Sequence, residues 1–538
     1  MPEQIKPGSP AVPPDLSAWA PIKVPIFRML WSTWLVANIC MWMNDVAAAW
    51  MMTSMTTSPL WVALVQTAST LPVFLLGLPS GALADILDRR RYFIVTQFWI
   101  AIVATLMCIT VVSGIMTPPL LLALTFANGI GLAMRWPVFS AIVPELVQRA
   151  QLPAALALNG IAMNASRIVG PLVAGALIAS AGTEYVFVLN AVLSVISGFV
   201  IMRWRREQAI SPLGRERLLS AIRVGVQYVR QSSRLRSVLL RVSIFFLHST
   251  ALLALLPLVA RQLKGGGAAT FTLLLASMGA GAIVAALNLP KLRRIMTSEA
   301  LVMRSVLLQS ASGAVMAIAP NAWVAVPAMA INGAAWICCA NSLSVSAQMS
   351  LPDWVRARGI STFQMAIMGA SALGAALWGQ IATLSSVSTG LLIAAVSGVI
   401  CMRLAQHFVR DKSVEEDLTP SREFKVPVAD VPPGSGHMVV SIEYLIDPLR
   451  SDEFRALMQE SRRSRLSQGA LDWALLRDVS RSGHYVEQII EESWTEHLRR
   501  FDRVTASDVA LRERKLAFHL GADMPLVTRC VVEGAWRI

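Results

Sequence analysis

Asp45, Arg135, Arg167 and His248 stand inside long apolar stretches where ionisable groups are not expected. Burying such a group in hydrocarbon is costly, so each one carries a presumption of function. A carboxyl in that setting can take up and release a proton, and a nearby guanidinium can tune it. At a rise of 1.5 Å per residue, Asp45 would lie about 27 Å in from an edge at Phe27. By the same arithmetic Arg167 would lie about 20 Å in from an edge at Ala154. The two would then come within reach of each other or share a water-filled cavity. The alternative is that Asp45 is interfacial and Arg135 snorkels towards the nearer surface.

The stretches that must position these groups are defined by missing charge. Residues 46–84, 92–134, 305–352 and 359–402 contain no Asp, Glu, Lys or Arg. Each interval is close to twice the ~20 residues a helix needs to cross a bilayer core. Each has a weak break near its middle: Thr57-Ser58-Pro59, Thr117-Pro118-Pro119, Pro320-Asn321 and Ser385-Ser386. These are helical hairpins that enter a membrane and return. Read this way, the chain has twelve spans: 27–50, 60–84, 92–114, 119–142, 154–180, 185–203, 237–260, 270–289, 300–319, 322–348, 359–383 and 387–405.

Basic residues mark alternate connections: Arg89 to Arg91, Arg149, the stretch from Arg203 to Arg236, Lys291 with Arg293 and Arg294, Arg356 with Arg358, and Arg410 with Lys412. Since Lys and Arg are retained on the cytoplasmic side, both termini are expected there. The net charge of +14 is thus topological, and a nucleic-acid partner is not expected. No short apolar leader with a small-residue cleavage site is visible in Met1 to Pro25. Five of the six cysteines fall in spans without metal-ligand spacing, so neither a disulfide framework nor a metal is expected.

The spans divide into six and six around a basic central stretch. The organisation expected is an N-terminal segment 1–24, a first half 25–203, a central loop 204–236, a second half 237–408, a linker 409–436 and a soluble domain 437–538. Within the loop, Leu218, Leu219, Ile222, Val226 and Val229 alternate with Arg at helical spacing from Arg217 to Arg236. That pattern predicts an amphipathic helix lying on the cytoplasmic membrane face. The linker is charged and Pro- and Gly-rich. Beyond it, strand-like and helical runs alternate as βαββαβ, with Ser480-Arg481-Ser482-Gly483 as a hairpin turn, which predicts a ferredoxin-like α+β domain.

Two motifs bear on mechanism. Between spans 2 and 3 the chain reads Gly81-Ala82-Leu83-Ala84-Asp85-Ile86-Leu87-Asp88-Arg89-Arg90-Arg91. In span 5 it reads Arg167-Ile168-Val169-Gly170-Pro171, followed by Ala174-Gly175. The first resembles the cytoplasmic loop between helices 2 and 3 of the major facilitator superfamily, with Ile86 where Arg is usual and Asp88 where Gly is usual. The second is similar to the Gly-Pro-x-x-Gly-Gly motif of facilitator exporters, with Ala174 in place of one Gly. The second half echoes the first motif weakly at Gly279-Ala280-Gly281 and Lys291-Leu292-Arg293-Arg294.

Residues 25–410 thus resemble the facilitator subfamily that includes the enterobactin exporter, whose tail-bearing form is labelled a transmembrane secretion effector. The resemblance implies an all-α membrane fold of two six-helix halves, and proton-coupled export of a small organic molecule of siderophore, drug or metabolite class. It makes Gly81, Asp85, Asp88, Arg89, Arg90 and Arg91 a gating element. It makes Gly170, Pro171 and Gly175 a flexible, closely packed stretch. Asp45, Arg135 and Arg167 are then the proton-coupling candidates; Thr125 stands where exporters often carry the relay Arg, ahead of Gly129-Ile130-Gly131. The partners expected are the small-molecule substrate, protons and the lipid bilayer of a bacterial-type inner membrane. An importer of the same fold, or a transporter-like scaffold carrying an enzyme, is the alternative.

The tail resembles the antibiotic-biosynthesis-monooxygenase type of dimeric barrel, which implies a homodimer through residues 437–538. His497 is the one candidate acid or base there, more in keeping with a structural role, and an enzyme is not expected. With no Gly-rich phosphate loop, neither ATP drive nor a cofactor is expected.

Overall fold

The structure is a computed structural model and describes residues 17, 19–148, 151–204, 218–409, 417–421, 423–424, 426–427 and 436–533. After a single turn, α1 (Ala20–Lys23), six long helices follow: α2 (Pro25–Met55), α3 (Pro59–Ile86), α4 (Arg89–Val112), α5 (Pro118–Leu146), α6 (Leu152–Ser180) and α7 (Thr183–Met202). A shorter helix, α8 (Leu218–Gln231), precedes six more: α9 (Ser233–Gln262), α10 (Ala268–Ile295), α11 (Ser298–Ile318), α12 (Ala322–Met349), α13 (Arg356–Leu384) and α14 (Val387–Phe408). Twelve of these are long and apolar enough to cross a membrane.

The breaks fall where local chemistry demands them. Pro25, Pro59 and Pro118 each open a helix at the first-turn position, where the missing N–H leaves no bond unmade. Gly114, Gly182 and Gly265 have φ of +71°, +124° and +71° and end or join helices in a conformation that other residues resist.

Two compact units arise. The first comprises Met1–Leu213, Ser243–Ala340 and Met365–Met402. Its outer faces are apolar: Val95 and Ile109 on α4, Val192 and Phe199 on α7, Leu287 on α10 and Val396 on α14 are all exposed. Apolar exposure on that scale needs a non-aqueous surround. One core cluster joins Met43 and Ala47 of α2, Ala174 of α6, Leu255 of α9 and Ala375 of α13.

The second unit comprises Gly214–Val242, Asn341–Gln364 and Arg403–Ile538. Its sheet has the order β2-β3-β1-β4, all antiparallel, with β1 (Met438–Leu445), β2 (Asp472–Arg477), β3 (His484–Glu491) and β4 (Val527–Val531). Strand alternation sends Val440, Tyr444, Trp473, Tyr485 and Ile489 to one face, where Phe454 and Met458 of α15 (Ser451–Ser467) cover them. On the other face Leu445 and Leu476 remain exposed. Gly483, with φ +79°, closes the β2–β3 hairpin at the expected turn. Two further helices, α16 (Trp494–Phe501) and α17 (Ala506–Leu516), complete the tail.

The central helix departs from expectation. Arg217 lies outside the described residues, and the single amphipathic helix anticipated through Arg236 is instead two, because α9 begins at Ser233. Protein covers the opposite face of α8, while Ile222, Val226 and Val229 of the face assigned to the membrane stay half-buried. Val224 and Tyr228 are buried, Val224 lies against Gly469, Gln227 Nε2 donates to the Ala470 carbonyl at 3.1 Å, and Tyr228 donates to the Ser350 carbonyl at 2.8 Å. Arg223 pairs with Glu492 at 2.6 Å.

Candidate functional site in the helical bundle

Residue Asp45 lies on α2, and its Oδ1 accepts one hydrogen bond, from Ser69 Oγ on α3 at 3.0 Å. Arg167, on α6, does not join it in an ion pair; its ζ carbon lies over two indoles, 5.3 Å from the centre of Trp42 and 4.5 Å from that of Trp336. Trp42 precedes Asp45 by three residues, so both lie on one face of α2, about one turn apart. The buried Nε of Arg167 has no hydrogen-bond partner. Trp336, on α12, also meets Phe246 of α9 edge-on at 5.8 Å.

Snorkelling is not what Arg135 does. It is 1% exposed and lies over Trp34 at 5.2 Å, with Nη2 3.5 Å from the Ala37 carbonyl. Trp34 is itself stacked on Phe139 at 4.0 Å, one turn along from Arg135. Both guanidiniums therefore rest on tryptophans of α2, eight residues apart. Thr125, in the place of the usual relay Arg, is buried with its hydroxyl unpartnered.

The motif in α6 is a packing surface. A Cβ on Gly170 would fall 2.5 Å from Trp42 Cβ and 3.0 Å from the Ile39 carbonyl oxygen, so α6 lies tight against α2. A Cβ on Gly175 would fall 1.9 Å from Thr272 Oγ1 on α10, across the boundary between the halves. Pro171 lies within the helix between them. Gly175→Val is therefore expected to force α6 and α10 apart. Transport should be lost with the protein still inserted, since small residues carry such crossings in membranes. Wild-type flux from that variant would remove the close crossing from the mechanism.

At the loop after α3, Asp88 caps α4 by accepting from Arg91 N at 2.8 Å. Arg89 pairs with Glu145 of α5 at 2.6 Å. Arg90 donates to the carbonyls of Trp204 and Met202, the latter at 2.8 Å, at the end of α7. The basic cluster thus ties three helix ends together; Arg91 is exposed. The surroundings of Gly81 and the side chain of Asp85 lie outside what is described.

Asn44, Asn332 and His248 stand out in the sequence as polar residues within spans, but their partners do not. Asn190 of α7 donates to Asn44 Oδ1 at 3.2 Å, and Gln97 of α4 donates to the Ser194 carbonyl at 3.2 Å. In the second half, His248, Ser249, Gln309 and Asn332 line a cavity of about 40 Å³, room for a few water molecules. His248 Nδ1–H donates to the Ile244 carbonyl at 2.7 Å, and its ring lies 5.6 Å from Trp378. A lone polar residue in a span was the only signal for these. The tryptophans had a stronger one: Trp42 and Trp336 sit mid-span, whereas tryptophans in spans concentrate at the interfaces.

His497, in the tail, is completely buried. Its Nδ1–H donates to Glu491 Oε2 at 2.5 Å, and its Nε2 accepts from Arg529 at 3.2 Å. With both ring nitrogens engaged and no exposure, it joins β3 to β4.

A twelve-helix bundle with ionisable groups on mid-span tryptophans is the architecture of a membrane transporter. The sequence description "transmembrane secretion effector", a major facilitator group, matches residues 16–535, and the chain belongs to that family. It is therefore an integral multi-pass membrane protein of transporter type. It is 21% identical over 251 residues to the staphyloferrin A transporter of Staphylococcus aureus, covering 46% of this chain and 63% of that one. It is 23% identical over 271 residues to macrolide efflux protein A of Streptococcus pyogenes, covering 49% and 65%. The chain thus spans less than two thirds of the length of these relatives.

Among solved structures, a bacterial homologue of the human lysosomal transporter Spinster, inward-facing and occupied, superposes with a TM-score of 0.57 at 13% identity, over 72% of this chain and 96% of that one. The nucleoside transporter NupG gives 0.51 at 14% identity, over 72% and 99%. At these identities the likeness concerns the fold.

Proposed function

We propose that the protein is a secondary active exporter of a small organic molecule, of siderophore, drug or metabolite class, working by proton antiport with alternating access. Asp45 carries the reading: an acid deep in the bundle, held by a single serine hydroxyl and free of any ion pair among the described residues. Such a group can exchange a proton as access alternates between the two sides. Support for the outward direction comes from the Gly170-Pro171 motif and from the efflux name of one relative. The alternating element is the crossing of α6 with α10 at Gly175, where the halves meet.

We place the protein in the inner membrane of a bacterial-type cell with both termini in the cytoplasm. Single cysteines near Ser58 and Pro118 should then react with impermeant reagent added outside, and cysteines at Arg90 or Arg356 should not. The reverse pattern would overturn the topology. For the function itself, cells overproducing the protein should hold less of a transported dye than control cells. A protonophore should abolish that difference, whereas higher accumulation in the overproducing cells would identify an importer.

A further inference from the structure

We infer that Arg167, between Trp42 and Trp336, is the counter-ion for an anionic group on the cargo, so that the transported molecule is an organic acid with an unsaturated or aromatic body. This rests on the transport reading and not on its direction.

The middle of the first half contains two guanidiniums, Arg135 and Arg167, against one carboxylate, Asp45. Asp45 is bonded to Ser69 on α3 and joins neither arginine in an ion pair. Arg167 makes no hydrogen bond or ion pair with any described residue, and its Nε is buried. An arginine is always charged and carries five N–H donors. The two indoles beneath it offset part of that charge through their π faces. An indole has no lone pair to accept an N–H, so the buried Nε–H stays unmatched among the described residues. A buried guanidinium is stabilised by an anion, and the described residues supply Arg167 with none, which leaves that place to the cargo. A carboxylate fits best, because its two oxygens match the planar fork in a bidentate, charge-assisted pair.

Access separates the two arginines. Arg135 is sealed, at 1% exposure, with Trp34 and Phe139 stacked beside it. Arg167, Trp42 and Trp336 all keep partial exposure, so a molecule can reach them. Gly170, one turn beyond Arg167, brings the α6 backbone against Trp42 and fixes where the guanidinium sits. The second half supplies the other wall through Trp336 of α12. A site divided between the halves is what alternating access requires. Two indole faces favour a flat, polarisable body beside the charge. The proton on Asp45 and the anion on Arg167 would occupy different groups. Outward movement of an anion and inward movement of a proton both carry positive charge inward, so an inside-negative potential drives both.

The test is binding to the purified full-length protein in lipid nanodiscs. Salicylate, 2,3-dihydroxybenzoate, citrate and carboxyfluorescein are each titrated beside an uncharged amide or ester of the same skeleton, with intrinsic tryptophan fluorescence and thermal stability as readouts. At least one aromatic acid should bind about tenfold or more tightly than its neutral counterpart, and Arg167→Gln should remove that preference. Arg167→Lys should restore part of it, and Trp336→Leu should weaken the aromatic acids more than citrate. Equal binding of acid and amide to the unaltered protein, preference for cationic compounds, no binding by any acid, or an unchanged preference in Arg167→Gln would each overturn the inference. The acid-against-amide comparison needs no variant and holds even if Arg167→Gln fails to fold. Intact efflux without acid preference would defeat this inference alone; acid preference with inward transport would defeat only the export reading.

Discussion

Asp45→Asn is expected to abolish proton-driven transport while leaving insertion, yield and substrate binding intact. The amide keeps the size of the carboxyl and can still meet Ser69 Oγ, now 3.0 Å from Asp45 Oδ1. What it loses is the exchangeable proton. If Asp45 links proton binding to cargo movement, the lost coupling is about 1–3 kcal/mol, or about 5- to 150-fold in gradient-driven flux. Downhill exchange of cargo, with no pH gradient applied, should persist. Ser69→Ala removes one hydrogen bond and should cost about 1 kcal/mol, shifting the pH profile without ending transport. Undiminished proton-driven flux in Asp45→Asn, with an unchanged pH profile, would exclude Asp45 as the coupling group.

The second large effect lies in the tail. Glu487 of β3 is completely buried, and Lys515 Nζ at 3.2 Å, Ser461 Oγ at 2.6 Å and Trp473 Nε1 at 3.0 Å all donate to it. Burial alone would raise its carboxyl, but Lys515, Arg465 and these hydrogen bonds outweigh burial and bring it down to about 2, from an ordinary 4.5. A folded-state value below the unfolded one means stability that is present above pH 4.5 and is lost as the pH falls from there towards 2. The contribution is about 3 kcal/mol at neutral pH. Burial pushes Lys515 down to about 8 from an ordinary 10.5, a cost of similar size at neutral pH, so what the pair leaves is mainly the loss of stability in acid.

Glu487→Gln leaves the Lys515 ammonium buried without its directly bonded carboxylate, and breaking one side of a buried pair costs about 3–5 kcal/mol. Hydrogen exchange of β1 and β3 in the full-length protein should accelerate at neutral pH. The acid-labile part of tail stability should vanish with it. Exchange like that of the unaltered protein would reduce the cluster to a passive one. Because α8 packs against α15 and the loop at Gly469, loosening the tail should also expose Arg223 and Tyr228.

What could be read in the sequence was whatever depends on distance along the chain. Uncharged intervals and proline breaks located the spans, because hydrocarbon tolerates no unpaired polar backbone and helices satisfy their own. The βαββαβ order and the turn at Gly483 followed from strand alternation and from the left-handed conformation glycine allows. Depth along a helix could be counted, which put Asp45 and Arg167 at similar levels. Their azimuth could not, and it decides the chemistry. Asp45 turns to Ser69, and Arg167 lies over Trp42 and Trp336, the latter 169 positions later in the chain. Long-range aromatic partners leave no periodic trace. The same limit hid the contact of α8 with the tail, made by Val224 and Gln227 on the face opposite Ile222, Val226 and Val229.

Inside-out membrane vesicles containing the protein provide the most direct measurement of proton-coupled export. In them the exported molecule should move into the lumen. With the lumen made acidic, a transported dye or organic acid should accumulate there, stop when the gradient is collapsed by a protonophore, and release protons to the medium in step with uptake. Accumulation indifferent to the gradient, or a gradient that drives the molecule out of the lumen, would contradict proton-antiport export.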